Sequence, residues 1–215
     1  MNFRQYLKEL PYIDAGHDNI IDIEIEKYGD PYSTFDLSGF ILNMIKIFGG
    51  KKVHSKKHGE FQLHNPKERI IFAKNLFHDL TFVTDFGVAC VEHLKHHITK
   101  KYNISIEKTN TANSEKIDSH IKGLFDKFYS KEEDHFDLNS FLKELDSLLE
   151  EKSTEFTKEE KLLFAQRLFT NPFKHHFAEM CVAAFREYIY KFLKGAKEDL
   201  NRFISLEDPI VDNFL

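Results

Sequence analysis

Two stretches of this chain repeat one pattern of buried side chains. FGVACVEHLKHHI, Phe86–Ile98, returns at an offset of 91 residues as FAEMCVAAFREYI, Phe177–Ile189. Two further blocks recur in the same order. RIIFAKNLF (Arg69–Phe77) matches KLLFAQRLF (Lys161–Phe169) at an offset of 92, and FDLSGFI (Phe35–Ile41) matches FDLNSFL (Phe136–Leu142) at an offset of 101. The shared letters are Phe, Ala, Leu and Cys at fixed spacings, which are the residues a core dictates. Repetition of this kind implies structural units that bury their apolar faces together. The expectation is a mainly α protein of two related multi-helix units, residues 1–108 and 109–215, packed as one helical domain about a pseudo-two-fold, with at most a minor short β pair.

Each copy reads as three helices. Helix A starts after Asp36 or Asp137 and carries Phe40, Ile41, Met44, Ile45 and Phe48, or Phe141, Leu142, Leu145, Leu148 and Leu149, at helical spacing. Helix B covers roughly 66–78 and 157–170. Asn65 followed by Pro66 forms an N-cap and first-turn pair, and Thr157 with Glu160 reads as a capping box. Helix C covers roughly 80–100 and 172–198. Thr170-Asn171-Pro172 separates B from C in the second copy, because proline suits only the first turn of a new helix. Asp79 stands at the aligned place in the first copy, so a break is predicted there as well, although periodicity alone would run one helix across 66–100.

Upstream of helix A the copies diverge. Asn113–Tyr129 is helical in pattern, whereas Asn19–Tyr28 alternates Ile with acid as a half-buried strand does. Tyr102–Lys108 and Glu60–His64 alternate too, and a small sheet from these segments competes with extended loop.

The core should be rich in phenylalanine, since the chain has 22 Phe and no Trp. The matched positions name it: Phe40, Phe72, Leu76, Phe77, Phe86, Cys90 and Leu94, with Phe141, Phe164, Leu168, Phe169, Phe177, Cys181 and Phe185. Cys90 and Cys181 each fall on an apolar helix face, which predicts buried thiols rather than a disulfide. No apolar run approaches the roughly 20 residues of a membrane helix, and MNFRQYLKEL lacks the basic and apolar regions of a secretory signal. A cytoplasmic protein without a membrane partner is expected.

Formal net charge is −5, which disfavours a general nucleic-acid binder. A protein partner or self-association is the expected mode. The charge is uneven: residues 1–105 hold 14 Lys+Arg against 13 Asp+Glu and eight of the 12 histidines, while residues 106–215 hold 16 against 22. The copies share a framework and differ in surface.

The first copy has a longer connection between helices A and B, Gly49–Phe61, carrying Lys51, Lys52, His54, Lys56, Lys57 and His58. Insertions in one unit of a repeat map to surface loops and often to the binding face. With His96 and the rest of His93–Lys101 it forms a candidate basic patch for phosphate or an acidic partner; a solvated loop is the plainer reading.

On a helical wheel Phe86, Gly87, Cys90, Leu94 and Ile98 share one side, with His93 and His97 on its rim. That pair is spaced i, i+4, as two metal ligands on one helix must be. Zinc would want one or two more ligands, and no Cys-x-x-Cys or His-Glu-x-x-His pattern supplies them. His78, Asp85, Glu92 and His96 form a second line at about seven-residue steps, which suits either proton transfer or a solvated face. In the second copy His175 and His176 open helix C, with Glu179 three residues beyond His176. Asp85, His176 and Glu179 could then share a divalent metal across the interface, against a plain reading as hydrogen-bonding imidazoles. No cofactor is expected; a divalent metal is the alternative. Nucleophile-elbow, phosphate-loop and dinucleotide patterns are missing from the sequence.

The run Glu92-His93-Leu94-Lys95 resembles, over barely ten residues, the E-K-x-L-K-like run on a central helix of HEPN domains. These are small four-helix bundles that include many ribonucleases of toxin and antiviral systems. The resemblance would imply a helical bundle acting on nucleic acid. That family's catalytic R-x4-6-H is not completed by Arg4, Arg69, Arg167, Arg186 or Arg202, and the spacing from Arg167 to His175 is one residue too long, so a member of this kind would be inactive. The leading expectation is a non-catalytic binding or regulatory protein; the alternative is a metal-dependent or nucleic-acid-acting enzyme using the helix-borne histidines.

Overall fold

The computed structural model describes residues 36–55, 59–106, 115–130, 132 and 135–200. These residues are mostly helical. In chain order they form α1 (Leu37–Phe48), β1 (Val53–Ser55), β2 (Gly59–Phe61), α2 (Pro66–His78), α3 (Leu80–Tyr102), α4 (Glu115–Phe128), β3 (Tyr129–Ser130), β4 (His135–Phe136), α5 (Leu138–Leu149), α6 (Lys158–Leu168) and α7 (Phe173–Leu200). By compactness the chain divides into two units, which among the described residues are 36–83 with 188–200, and 84–187.

Local chemistry sets the helix ends. Asp36 caps α1 and Asp137 caps α5 with nearly the same backbone angles, φ −79°, ψ 79° and φ −79°, ψ 77°. Their carboxylates accept from Gly39 N at 2.9 Å and Ser140 N at 3.1 Å, satisfying donors that the first turn leaves open. Both second helices open on a reciprocal capping box, Asn65 with Glu68 and Thr157 with Glu160. The break at Asp79 is present: α2 ends at His78, and the Asp79 carboxylate accepts from Phe82 N at 3.2 Å to start α3. The second break also falls where the sequence puts it, although the helix starts at Phe173, just past Pro172.

In the first unit, Phe48 meets Phe72 at 5.6 Å, while Phe82 meets Phe40 at 6.1 Å and Phe77 at 6.0 Å. The connection from α1 to α2 is fixed by Gly50, which takes φ +67°; an added Cβ would lie 2.1 Å from the Arg69 guanidinium. Arg69 in turn donates to the carbonyls of Leu63 and His64, both at 3.2 Å. This connection contains an antiparallel β-hairpin, Val53 opposite Phe61 and Ser55 opposite Gly59, where a solvated loop is the plainer sequence reading.

In the second unit, α4 packs against α5 and α6. Phe141 stacks on Phe125 at 5.5 Å and on Phe177 at 5.6 Å. The β3–β4 pair sets Tyr129 opposite Phe136, and Phe136 in turn meets Phe141 at 5.3 Å. The side chain of Lys161 is buried and donates to Ser153 O at 3.0 Å and to Glu150 O, closing the α5–α6 connection.

All fourteen core positions named from the repeat are buried. The strand expected over 102–108 does not form in its described part: Tyr102 is the last residue of α3, Asn103 takes φ 52°, and residues 103–106 are irregular. A left-handed asparagine ends a helix instead of opening a strand. The strand expected at 60–64 survives only as Gly59–Phe61, and Asn19–Tyr28 lies outside the described residues.

Phe72 and Phe164 are equivalent in the sequence copies and are 1% and 0% exposed. Truncating either to alanine removes a buried ring and leaves a cavity, so each should cost about 3–5 kcal/mol. Thermal melts of Phe72→Ala and Phe164→Ala should therefore fall by similar amounts; a negligible shift for one would break their equivalence.

Candidate functional site

The last three turns of α3 separate two chemistries by face. Val91, Leu94 and Ile98 are buried, while His93, His96, His97, Lys100 and Lys101 are exposed. The separation follows from helical geometry, since residues three and four apart share a side. The result is a continuous basic and imidazole-rich strip on the second unit.

Part of the strip is pinned. His97 Nε2 lies 3.5 Å from Asp146 Oδ1, Lys101 Nζ 2.7 Å from Oδ2, and the Tyr102 hydroxyl donates to Oδ1 at 2.6 Å. Asp146 stands on α5, so this carboxylate ties the end of α3 to a second helix. Burial raises the Asp146 carboxyl, but the hydrogen bonds from Lys101 and Tyr102 outweigh it and hold the group below its usual range. Burial and the bond to Asp146 together push Tyr102 up to about 12. Nearer the middle of α3, Glu92 accepts ion pairs from Lys95 at 3.6 Å and Lys174 at 4.0 Å.

His93 and His97 are both exposed on α3, and His97 is directed to Asp146. Asp85 is half-buried near the start of α3. On α7, Glu179 is shared: His175 Nε2 lies 3.4 Å from one oxygen and His176 Nδ1 3.8 Å from the other. The His176 ring also packs edge-on to Phe125 at 5.3 Å and Tyr129 at 5.8 Å. Phe125, His175, His176 and Glu179 line an open cleft of about 380 Å³ between α4 and α7, together with Lys122 and Asp126. Among the described residues no three His, Cys, Asp or Glu side chains are placed to hold a metal ion.

The line of His78, Asp85, Glu92 and His96 is interrupted. His78 ends α2 and its Nδ1 is 2.8 Å from Lys74 O. The other three belong to α3, beyond the break. Of the candidate basic loop, Lys51 and Lys52 are exposed and His54 lies in β1 opposite Glu60; Lys56, Lys57 and His58 lie outside the described residues.

Sequence reasoning missed the pairs that join distant segments. Asp146 is one; Arg167, which donates to Asp118 Oδ1 at 2.8 Å, is another. His135 with Glu187 is a third, at 2.5 Å. Each partner looks like an ordinary polar helix residue, and separations of 44, 49 and 52 positions leave no local signal. No helix among the described residues is long and apolar enough to cross a membrane. No family model, no curated protein and no solved structure matches the chain.

The Asp146 cluster gives a pH-dependent prediction. Its folded pKa lies below the ordinary 3.8, so its stabilisation is complete above that value and is lost as pH falls through the depressed one. Asp146→Asn should cost about 1–2 kcal/mol near neutral pH, discounted for partial exposure. Chemical denaturation at a series of pH values should show the gap between variant and parent narrowing in the acid range. A gap independent of pH would mean that the carboxylate charge contributes nothing.

Proposed function

We propose that this chain is a non-catalytic binding or regulatory protein of the cytoplasm, built on a duplicated helical scaffold, whose recognition surface is the exposed face of α3 and whose partner is an acidic protein segment. The observation that carries this reading is the clustering of His93, His96, His97, Lys100 and Lys101 on exposed surface, against a fully buried opposite side. Cationic groups held on a rigid helix attract carboxylates at a rate and with a selectivity that depend on salt. A protein segment is favoured over nucleic acid because the chain as a whole carries −5, which opposes a polyanion extending beyond the strip. Matched caps, matched breaks and matched core positions support the duplicated scaffold, in which surface residues drift while buried ones stay fixed.

The test is fluorescence anisotropy of the full chain with a labelled polyglutamate peptide and, separately, a labelled single-stranded oligonucleotide of equal length. The peptide should bind, more weakly as salt rises, and the double variant His96→Glu with Lys100→Glu should lose about tenfold in affinity. Failure to bind the peptide at low salt, or tighter binding of the oligonucleotide, would overturn the proposal. So would stoichiometric metal in the purified chain that disappears with His93→Ala, since that would make the helix a metal centre.

A further inference from the structure

The inward side of α3 meets α7 within the second unit at a close crossing, and the crossing holds both cysteines of the chain. A Cβ added at Gly87 would lie 3.0 Å from that of Ala178. Glycine opposite alanine lets two helix backbones approach as near as side chains permit. Phe86 and Phe185 stack at 4.7 Å with 28° between their planes. Cys90 lies one turn beyond Phe86 and Gly87, and Cys181 lies one turn beyond Ala178 and one turn before Phe185. On α7 the two contacts flank Cys181, and on α3 both lie within one turn of Cys90. Both cysteines are free and buried, and Cys90 is near enough to Cys181 to contribute, after burial, to raising its thiol.

Gly87 and Ala178 are equivalent positions of the two sequence copies, and so are Cys90 and Cys181. Where two equivalent surfaces pack on a two-fold, residues nearest the axis meet their own counterparts.

We propose that Cys90 and Cys181 form an oxidation site, at which a peroxide converts the facing thiols to a disulfide that links α3 to α7. One thiol attacks the peroxide, giving a sulfenic acid and water. The second thiol then displaces hydroxide from that sulfur, which with the thiol proton leaves as a second water. Two hydrogens are lost from the protein, and the peroxide supplies the oxidising equivalents. Burial pushes the Cys181 thiol well above its ordinary range, which keeps the reactive thiolate scarce. Reaction therefore waits on transient opening of the crossing and is slower than for an exposed thiol. This site is buried and makes no use of the outer face of α3, so it stands or falls independently of the acidic-partner reading.

The full chain is exposed to hydrogen peroxide, denatured, alkylated and digested. The expected result is an intact mass lower by two hydrogens, no alkylation at either cysteine, and one disulfide-linked peptide pair containing Cys90 and Cys181, all reversed by dithiothreitol. The oxidised chain should also melt at a higher temperature, because the cross-link restricts the unfolded state. Cys90→Ser and Cys181→Ser should each abolish the linked peptide, and should either variant fold poorly, the peptide map of the unmodified chain decides alone. Both cysteines alkylated after peroxide treatment, or disulfides found only between separate chains, would overturn the assignment.

Discussion

Phe141 meets four other phenylalanine rings. Phe125 and Phe177 stack on it, at 5.5 Å with 4° between planes and 5.6 Å with 30°; Phe136 and Phe128 approach edge-on at 5.3 and 6.4 Å. Those rings come from α4, β4 and α7, so one side chain of α5 holds the second unit's elements in register. Stacked and edge-on contacts both suit the ring quadrupole, and each adds to the burial of a large apolar surface. The helix cap decides where this ring points. The Asp137 carboxylate fixes the first turn, Asp137 O accepts from Phe141 N at 3.0 Å, and the ring then falls on the inner face. The same sequence of cap, first hydrogen bond and buried ring occurs at Asp36 and Phe40 in the first unit.

This dependence explains what was legible in the sequence. Core positions, caps and breaks are decided within a few residues. Asp79 shows how local the signal is: its backbone turns extended after His78 and its carboxylate accepts from Phe82 N, capping a new helix where periodicity alone would run on. The fourteen repeated core residues could be named for a related reason. A buried ring constrains its own letter and its spacing, and both are visible in one chain.

What escaped reading was decided at a distance. Nothing near Asp146 marks it as the acceptor for three residues of α3, and nothing near Tyr102 says that its hydroxyl is claimed there. The alternation over 102–108 therefore suggested a strand where α3 carries on to Tyr102 and then turns at Asn103. The 53–61 hairpin was hidden differently: its strands are three residues each, too short for alternation to distinguish them from loop. Helical spacing fixes only which side of a helix a histidine occupies; that His97 faces Asp146 is set by α5.

α3 shows how one helix serves two constraints without compromise. Its inner face is specified by contact: Gly87 must be small against Ala178, and Phe86 must match Phe185. Its outer face is exposed, and apart from His97 and Lys101, which engage Asp146, it carries little packing constraint on which polar residue enters. Copies of an ancestral helix would then keep the first set and lose the second. Comparison of α3 with α7 follows that pattern, for Phe and Cys persist at equivalent places while His93, His96 and His97 become Ala184, Glu187 and Tyr188. The aligned outer positions differ where the inner ones match, and the histidine-rich strip lies on the copy whose sequence is also the more basic.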